Sequence, residues 1–371
     1  MEETSVSSIL FMNSVFSKRR AVVRKNLAER GVDALVVNQA ANRYYLSGFS
    51  GEDGVLVVSR DGTFLVSDGR FTTQAKEEAP GVRVVLQKGG LYEAAGKLLR
   101  SRGHRRIGYD PDSLTVADFA GMRRAAGRKR AWQRASGVVE GLRARKEPSE
   151  LAEIRQAAVL AGEVLERTLK LLRPGVRETE IAAEIEYQMR RRGAAGPSFP
   201  PIVAFGERSA LPHARPTRRK LRRNELVVLD LGAILAHYCS DITRTVFVGN
   251  APRRVRRWYQ AVLEAQGAAI SAAKAGVECG EIDGAARKVL TGHGLGRYFV
   301  HSTGHGLGLE IHEAPRVARG QKQRVLPGSV ITIEPGIYVP GVGGIRIEDD
   351  VAIHEASTEV LTRIPREFTE L

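Results

Sequence analysis

Four carboxylates in the second half of the chain stand at, or just beyond, runs of apolar β-forming residues. Leu226-Val227-Val228-Leu229 runs into Asp230, and Asp241 follows eleven residues later, ahead of Ile242-Thr243-Arg244-Thr245-Val246-Phe247-Val248. Val330-Ile331-Thr332-Ile333 ends in Glu334-Pro335-Gly336, and Ile345-Arg346-Ile347-Glu348 alternates so that Arg346 and Glu348 share a face. A single acid at a strand end is as readily a solvated one. Four beside nearly continuous apolar runs point to buried strands, where carboxylates must protonate or be neutralised. Two divalent cations would carry +4 against four carboxylate charges, and oxygen-rich ligation suits manganese, cobalt or zinc. A water between two such cations becomes acidic, which is the chemistry of two-metal hydrolases.

Of eight histidines, four occur in two compact contexts. His213 lies in Leu211-Pro212-His213-Ala214, and His301, His305 and His312 lie within 301–313. Glycines on both sides of His305 permit close backbone approach to a crowded centre. The spacing of His301 and His305 matches a helical metal pair, but a Gly-rich segment is a poor helix. Thr291-Gly292-His293-Gly294 repeats the tetrapeptide around His305; it follows a helical stretch, so His293 reads as a cap or turn residue. Packed histidines in a loop would be the plain reading of His301 and His312 taken alone.

The elements around these residues fall into two halves. Residues 20–30 read as a helix stopped by Gly31, and Ala34-Leu35-Val36-Val37 as a buried strand. Two strand runs flank Asp61-Gly62, a hairpin signal. A helix over 91–99 and a short strand Ile107-Gly108-Tyr109 complete a mixed sheet with helices packed on it, lacking any acidic or histidine cluster suited to chemistry. The basic linker Arg143-Ala144-Arg145-Lys146 marks the domain boundary, giving domains 12–145 and 146–371. A long helix begins near Pro148-Ser149-Glu150, with its apolar stripe on Leu151, Ile154, Ala158, Ala161, Leu165 and Leu169. Thr179 reads as the N-cap of a second helix ending at Gly193. From Val203 the chain turns β-rich, interrupted by one helical stretch at about 255–291.

Composition narrows the class. The 371 residues suit two domains, and 43% hydrophobic content with periodic segments excludes disorder. Two cysteines, Cys239 and Cys279, exclude a disulfide scaffold and point to a reducing, cytoplasmic setting. The acidic opening Met1-Glu2-Glu3 is unlike a secretory signal, and no apolar run is long enough to span a membrane. The leading eleven residues read as a mis-assigned start or a loose arm. Net charge is +15, with clusters at Lys18-Arg19-Arg20, Arg128-Lys129-Arg130, Arg218-Arg219-Lys220 and Arg253-Arg254. They are scattered and lack interleaved aromatic residues, so a solvated basic surface is favoured over a nucleic-acid site.

The ordered set Asp230, Asp241, His305, Glu334 and Glu348 resembles the five-ligand signature of the pita-bread metallopeptidases, which include methionine aminopeptidases, Xaa-Pro aminopeptidases and prolidases. The surrounding wording matches too, in Asp230-Leu231-Gly232-Ala233, Ser240-Asp241-Ile242-Thr243-Arg244-Thr245, Thr303-Gly304-His305-Gly306, Ile333-Glu334-Pro335-Gly336 and Gly344-Ile345-Arg346-Ile347-Glu348-Asp349. Asn42-Arg43-Tyr44-Tyr45-Leu46-Ser47-Gly48-Phe49 and Ser67-Asp68-Gly69-Arg70-Phe71 resemble the creatinase-type N-terminal domain of the Xaa-Pro enzymes. The resemblance implies an α+β protein, a creatinase-type mixed α/β domain followed by a pita-bread α+β catalytic domain, and a homodimer. It implies two divalent metal ions, manganese first, with cobalt or zinc as alternatives. Asp230 would chelate one, Asp241 and Glu348 would bridge both, and His305 with Glu334 would hold the other. Glu334 would also shuttle a proton; His213 and His312 would bond the scissile carbonyl; His301 and Arg346 would serve substrate binding, Arg346 by orienting nearby carboxylates. The implied activity is Xaa-Pro aminopeptidase on proline-containing peptides. Prolidase, restricted to dipeptides, is the alternative, and a catalytically inactive binding module with a basic surface is the alternative of another class.

Overall fold

The structure is a computed structural model that describes residues 3–371, with side chains from Ser14 onward. The chain divides into two compact units, with the break between Arg143 and Ala144. In the first, six strands order as Arg83–Leu86, Gly62–Ser67, Val55–Ser59, Ala34–Val37, Arg106–Tyr109 and Ala131–Arg134. The hairpin at Asp61-Gly62 is present, with Ser59 opposite Gly62. Val55–Ser59 is antiparallel to both neighbours and the other pairs are parallel, so the sheet is mixed. The helix Leu91–Ser101 seats Ala94, Ala95, Leu98 and Leu99 in the core with Val36, Val57 and Phe64.

The first helix runs Glu3–Glu29, so its backbone takes in most of the stretch read as a loose arm. Met1 and Glu2 lie outside the described residues. In the Lys18-Arg19-Arg20 cluster only Lys18 is exposed. Arg19 and Arg20 are buried, the first with its guanidinium 3.9 Å from the centre of the Tyr45 ring and the second donating to the Leu46 carbonyl. The long stems of these side chains pack while their heads find acceptors.

The second unit opens with the helix Pro148–Leu169, whose Glu150 carboxylate accepts the Glu147 backbone N–H at 3.0 Å. The next helix, Glu178–Arg191, begins ahead of Thr179, which sits in its first turn. Arg177 is the N-cap, because Glu180 reaches back to its N–H at 2.8 Å. The stretch expected as one helix at 255–291 is two, Arg253–Ala272 and Cys279–Gly292. Gly276, at φ 84°, lets the chain turn between them.

Two sheets carry the acids, each on strands with antiparallel neighbours. Glu225–Leu231 lies between Ile202–Phe205 and Ile242–Val248, and Val330–Ile333 lies between Gly304–Gly306 and Asp349–Ile353. Alternation then sorts the side chains. Val227, Leu229 and Leu231 join the core with Leu165, Ile181 and Ile185 of the first two helices. Ile331 and Ile333 join Val262, Ala265 and Ile282 of the later two. Asp230, Thr332 and Glu334 are out of phase with those apolar residues, so they emerge on the faces the helices do not cover.

Candidate metal centre

Strand register brings the first two acids together. Thr243 lies directly opposite Asp230 in the antiparallel pair, and Asp241 shares the face of Thr243 because it is two residues away. Glu348 falls between the strands Gly343–Arg346 and Asp349–Ile353. It is held there by the Thr243 hydroxyl, which donates to its Oε2 at 2.6 Å. Glu334 follows Val330–Ile333, and its backbone N–H donates to the Thr303 carbonyl at 2.7 Å. His305 comes from the strand Gly304–Gly306; its Nε2 is 3.7 Å from Asp241 Oδ2 and 3.6 Å from Glu334 Oε1. All five line one cavity of about 480 Å³, together with His213, His312, Ile202, Ile311 and Arg215.

The charge is mostly uncompensated. Arg346 Nη2 donates to Asp230 at 2.5 Å, but Asp241 and Glu348 have no arginine or lysine within salt-bridge distance among the described residues. Burial, with the neighbouring acids adding to it, pushes Asp241 and Glu348 well above the ordinary carboxylate range. Burial likewise lifts Glu334 to about 7, against the pull of Arg346. His305 is pushed down to about 4 by burial, so it is a neutral imidazole with a lone pair to offer. Asp230 Oδ1 and Asp241 Oδ1 are buried without a hydrogen-bond partner, and such orphans call for an explanation. Asp241, His305 and Glu348 each bring one ligand atom within 4.8 Å of the others. Orphaned oxygens, excess negative charge and a neutral histidine form a donor set that fits divalent cations.

Arg346 and His301 stand behind this group and not on the cavity wall. Arg346 is 3% exposed. Its donors go to Asp230, to Thr243 Oγ1 at 3.1 Å, to the Pro212 carbonyl at 3.2 Å and to Tyr338 Oη at 2.6 Å. With those bonds made, its donors are taken up by groups in and behind the acid cluster. Tyr338 in turn hydrogen-bonds His301 Nε2 at 2.9 Å, while His301 Nδ1 faces the Ser302 carbonyl at 2.8 Å. His301 Nδ1 is 3.9 Å from Glu334 Oε2, so it touches the acid cluster without lining the cavity. The segment is no helix, and the 301/305 spacing has no helical meaning. His312 packs its ring edge-on to His305, centroids 4.4 Å apart. His293 is elsewhere, exposed and 2.8 Å from Glu264.

Several residues that hold the site escape the sequence reading. Thr243 ties Glu348 to Arg346, and its position two past Asp241 on a strand was a usable signal. Asp350 accepts the Asp241 backbone N–H at 3.0 Å. On the helix Cys279–Gly292, Asp283 and Arg287 form an i,i+4 pair at 2.6 Å. Arg287 also donates to the His301 carbonyl and Asp283 accepts from Thr303, so this pair fixes the segment that leads to both His301 and His305. Tyr338 carries no signal of its own in the sequence.

Residues 152–355 match the model of Metallopeptidase family M24, and residues 19–145 match that of the Creatinase/Prolidase N-terminal domain. An Xaa-Pro dipeptidase of Pyrococcus furiosus is 37% identical over 93% of this chain and 97% of its own length. Among solved structures, an Xaa-Pro dipeptidase from Bacillus anthracis superposes with a TM-score of 0.92 at 38% identity, over 96% of this chain and 100% of that one. An X-Pro aminopeptidase from Thermotoga maritima superposes with a TM-score of 0.86 at 36% identity, over 92% of this chain and 99% of that one. The α+β architecture expected from the sequence, a creatinase-type domain ahead of a pita-bread domain, is the one these matches carry.

Proposed function

Because the chain belongs to Metallopeptidase family M24 and carries a Creatinase/Prolidase N-terminal domain, it is a metallo-exopeptidase, and we propose that it cleaves Xaa-Pro bonds, in dipeptides foremost. The observation that carries this reading is the convergence of Asp230, Asp241, His305, Glu334 and Glu348 on one cavity with too few cations to neutralise them. Those five residues would hold two divalent cations; four carboxylates against one imidazole favour manganese, with cobalt or zinc able to substitute. When bound, such a pair acidifies water and polarises a carbonyl.

The chain's own groups do the rest. Glu334, on the cavity wall beside His305, can take a proton from the attacking water and hand it to the departing proline nitrogen. His213 and His312 line the same cavity, where a ring N–H can bond the carbonyl oxygen as its charge grows. Arg346, through Asp230 and Tyr338, keeps the acids and His301 in register. Cys239 and Cys279 are buried and form no disulfide, which fits a reducing cytoplasmic setting.

Dipeptides move ahead of longer peptides on three supports. Xaa-Pro dipeptidases are prominent among the relatives. The cavity, about 480 Å³, is of small-ligand size. Arg215 lines it and Arg316 stands opposite His305 in strand register, so positive charge is at hand for a dipeptide carboxylate. An inactive binding module finds no support in a donor set this complete. The test is hydrolysis by metal-loaded protein of an Xaa-Pro dipeptide and of the tripeptide that extends it. The dipeptide should be favoured in kcat/KM by about tenfold or more. Equal rates would restore the aminopeptidase reading, and no turnover of either would remove proline specificity.

A further inference from the structure

The segment between the strands Gly304–Gly306 and Glu313–Val317 brings Ile311 and His312 to the cavity wall, yet residues 307–312 belong to no helix or strand. An acid at its base organises it. Glu313 Oε1 accepts the Glu310 backbone N–H at 3.1 Å, and Glu313 Oε2 is 3.1 Å from Lys146 Nζ. Both side chains are shut off from water, at 1% exposure for Lys146 and 6% for Glu313. A Cβ on Gly308 would come to 2.7 Å from Glu313 Oε2, so glycine is what allows the loop to close over the carboxylate. Lys146 is itself fixed, its N–H donating to the Gly328 carbonyl at 2.7 Å, one residue ahead of the cap of the helix Pro148–Leu169.

A buried ion pair is a poor source of net stability, since desolvation offsets most of its attraction. Its geometry is another matter. The ammonium makes it possible for a charged carboxylate to sit inside the loop and accept the Glu310 N–H, and His312 is the residue immediately before that carboxylate. We propose that Lys146, acting through Glu313, is a positioning residue that holds His312 toward the reacting carbonyl. This rests on the functional reading above for the role of His312, though not for the anchoring of the loop.

Lys146→Met removes the ammonium beside Glu313 Oε2, and two measurements follow it. In metal-free protein, amide hydrogen exchange over residues 307–312 should speed up by about tenfold while the strand Glu225–Leu231 keeps its protection. In metal-loaded protein, kcat should fall by about tenfold or more with KM within about threefold, and in a His312→Ala background the same substitution should cost less than about threefold. Unchanged exchange overturns the anchor. Equal kcat losses in both backgrounds overturn the action through His312 and leave Lys146 a merely structural residue. Should Lys146→Met not fold, Glu313→Gln breaks the pair from the other side at constant size, and the same outcomes decide. Wild-type protein that turns over no Xaa-Pro peptide would sink the functional reading alone; the exchange measurement still decides the anchor.

Discussion

Glu334 answers to two demands at once. Its oxygens belong to the donor set beside His305, and the same carboxylate is the group proposed to carry a proton. Glu334→Gln separates the two, because the amide keeps the size and one ligating oxygen but cannot relay a proton. Turnover of an Xaa-Pro dipeptide should drop by roughly 10²–10⁴-fold while KM changes far less. Metal content must be determined on the same preparation, since a carboxamide is the weaker ligand. A variant that retains two metals per chain and near wild-type turnover would reduce Glu334 to a ligand and send the search for the proton carrier elsewhere.

At the scale of the element, the short strand Gly304–Gly306 decides where His305 can reach. It is squeezed between two neighbours: a Cβ on Gly304 would strike the Thr332 carbonyl, and one on Gly306 the Ala314 carbonyl. Backbone on both sides leaves no flexible side chain to yield, so the strand itself must move. Gly304→Ala is therefore expected to fold with the cores on the far sides of both sheets intact, while His305 shifts from Asp241 and Glu334. Calorimetric titration with manganese should show affinity weakened by about tenfold or more, with far-UV circular dichroism near that of the wild type. Wild-type metal affinity in this variant would mean that the strand tolerates displacement and that His305 is positioned by something else.

For the whole molecule, the site is a reservoir of electrostatic strain that the metal relieves. Two sets of groups titrate in opposite senses in the metal-free protein. His301 and His305 are each pushed down to about 4, so the unfolded chain binds more protons between there and the ordinary histidine value, and stability rises with pH over that window. Asp241, Glu334 and Glu348 are pushed up, so the folded chain holds extra protons and stability falls as pH climbs through their raised values. The two trends oppose one another up to about 6.5, the ordinary value for histidine. Above it only the carboxylates remain, with Glu334 releasing its proton near 7. Urea midpoints measured in chelator should therefore decline from about pH 6.5 upward, and manganese should flatten or reverse the decline by binding the ionised acids. Midpoints that rise with pH in the metal-free protein would contradict the picture of buried, uncompensated acids.

Much of the site was legible because it follows from local rules. An acid at the end of an apolar strand run must be paired or neutralised once the strand is buried, so Asp230 and Glu334 could be singled out from residue order alone. Composition and alternation also sufficed for the mixed sheet of the first unit and for the hairpin at Asp61-Gly62. Helix ends were less legible: the cap at Arg177 depends on Glu180 reaching back, and the split at Gly276 depends on two helices packing on each other, neither visible in apolar periodicity. What the chain order could not contain is which side chains meet. Thr243 with Glu348, Tyr338 with His301 and Lys146 with Glu313 are bonds between elements 37 to 167 residues apart. Residue types and their period determine which face each group must take, since those depend only on neighbours along the backbone. Only tertiary pairing decides whether an arginine such as Arg346 meets a substrate or spends its donors on the acids beside it, because a hydrogen bond depends on ångströms that no sequence spacing encodes.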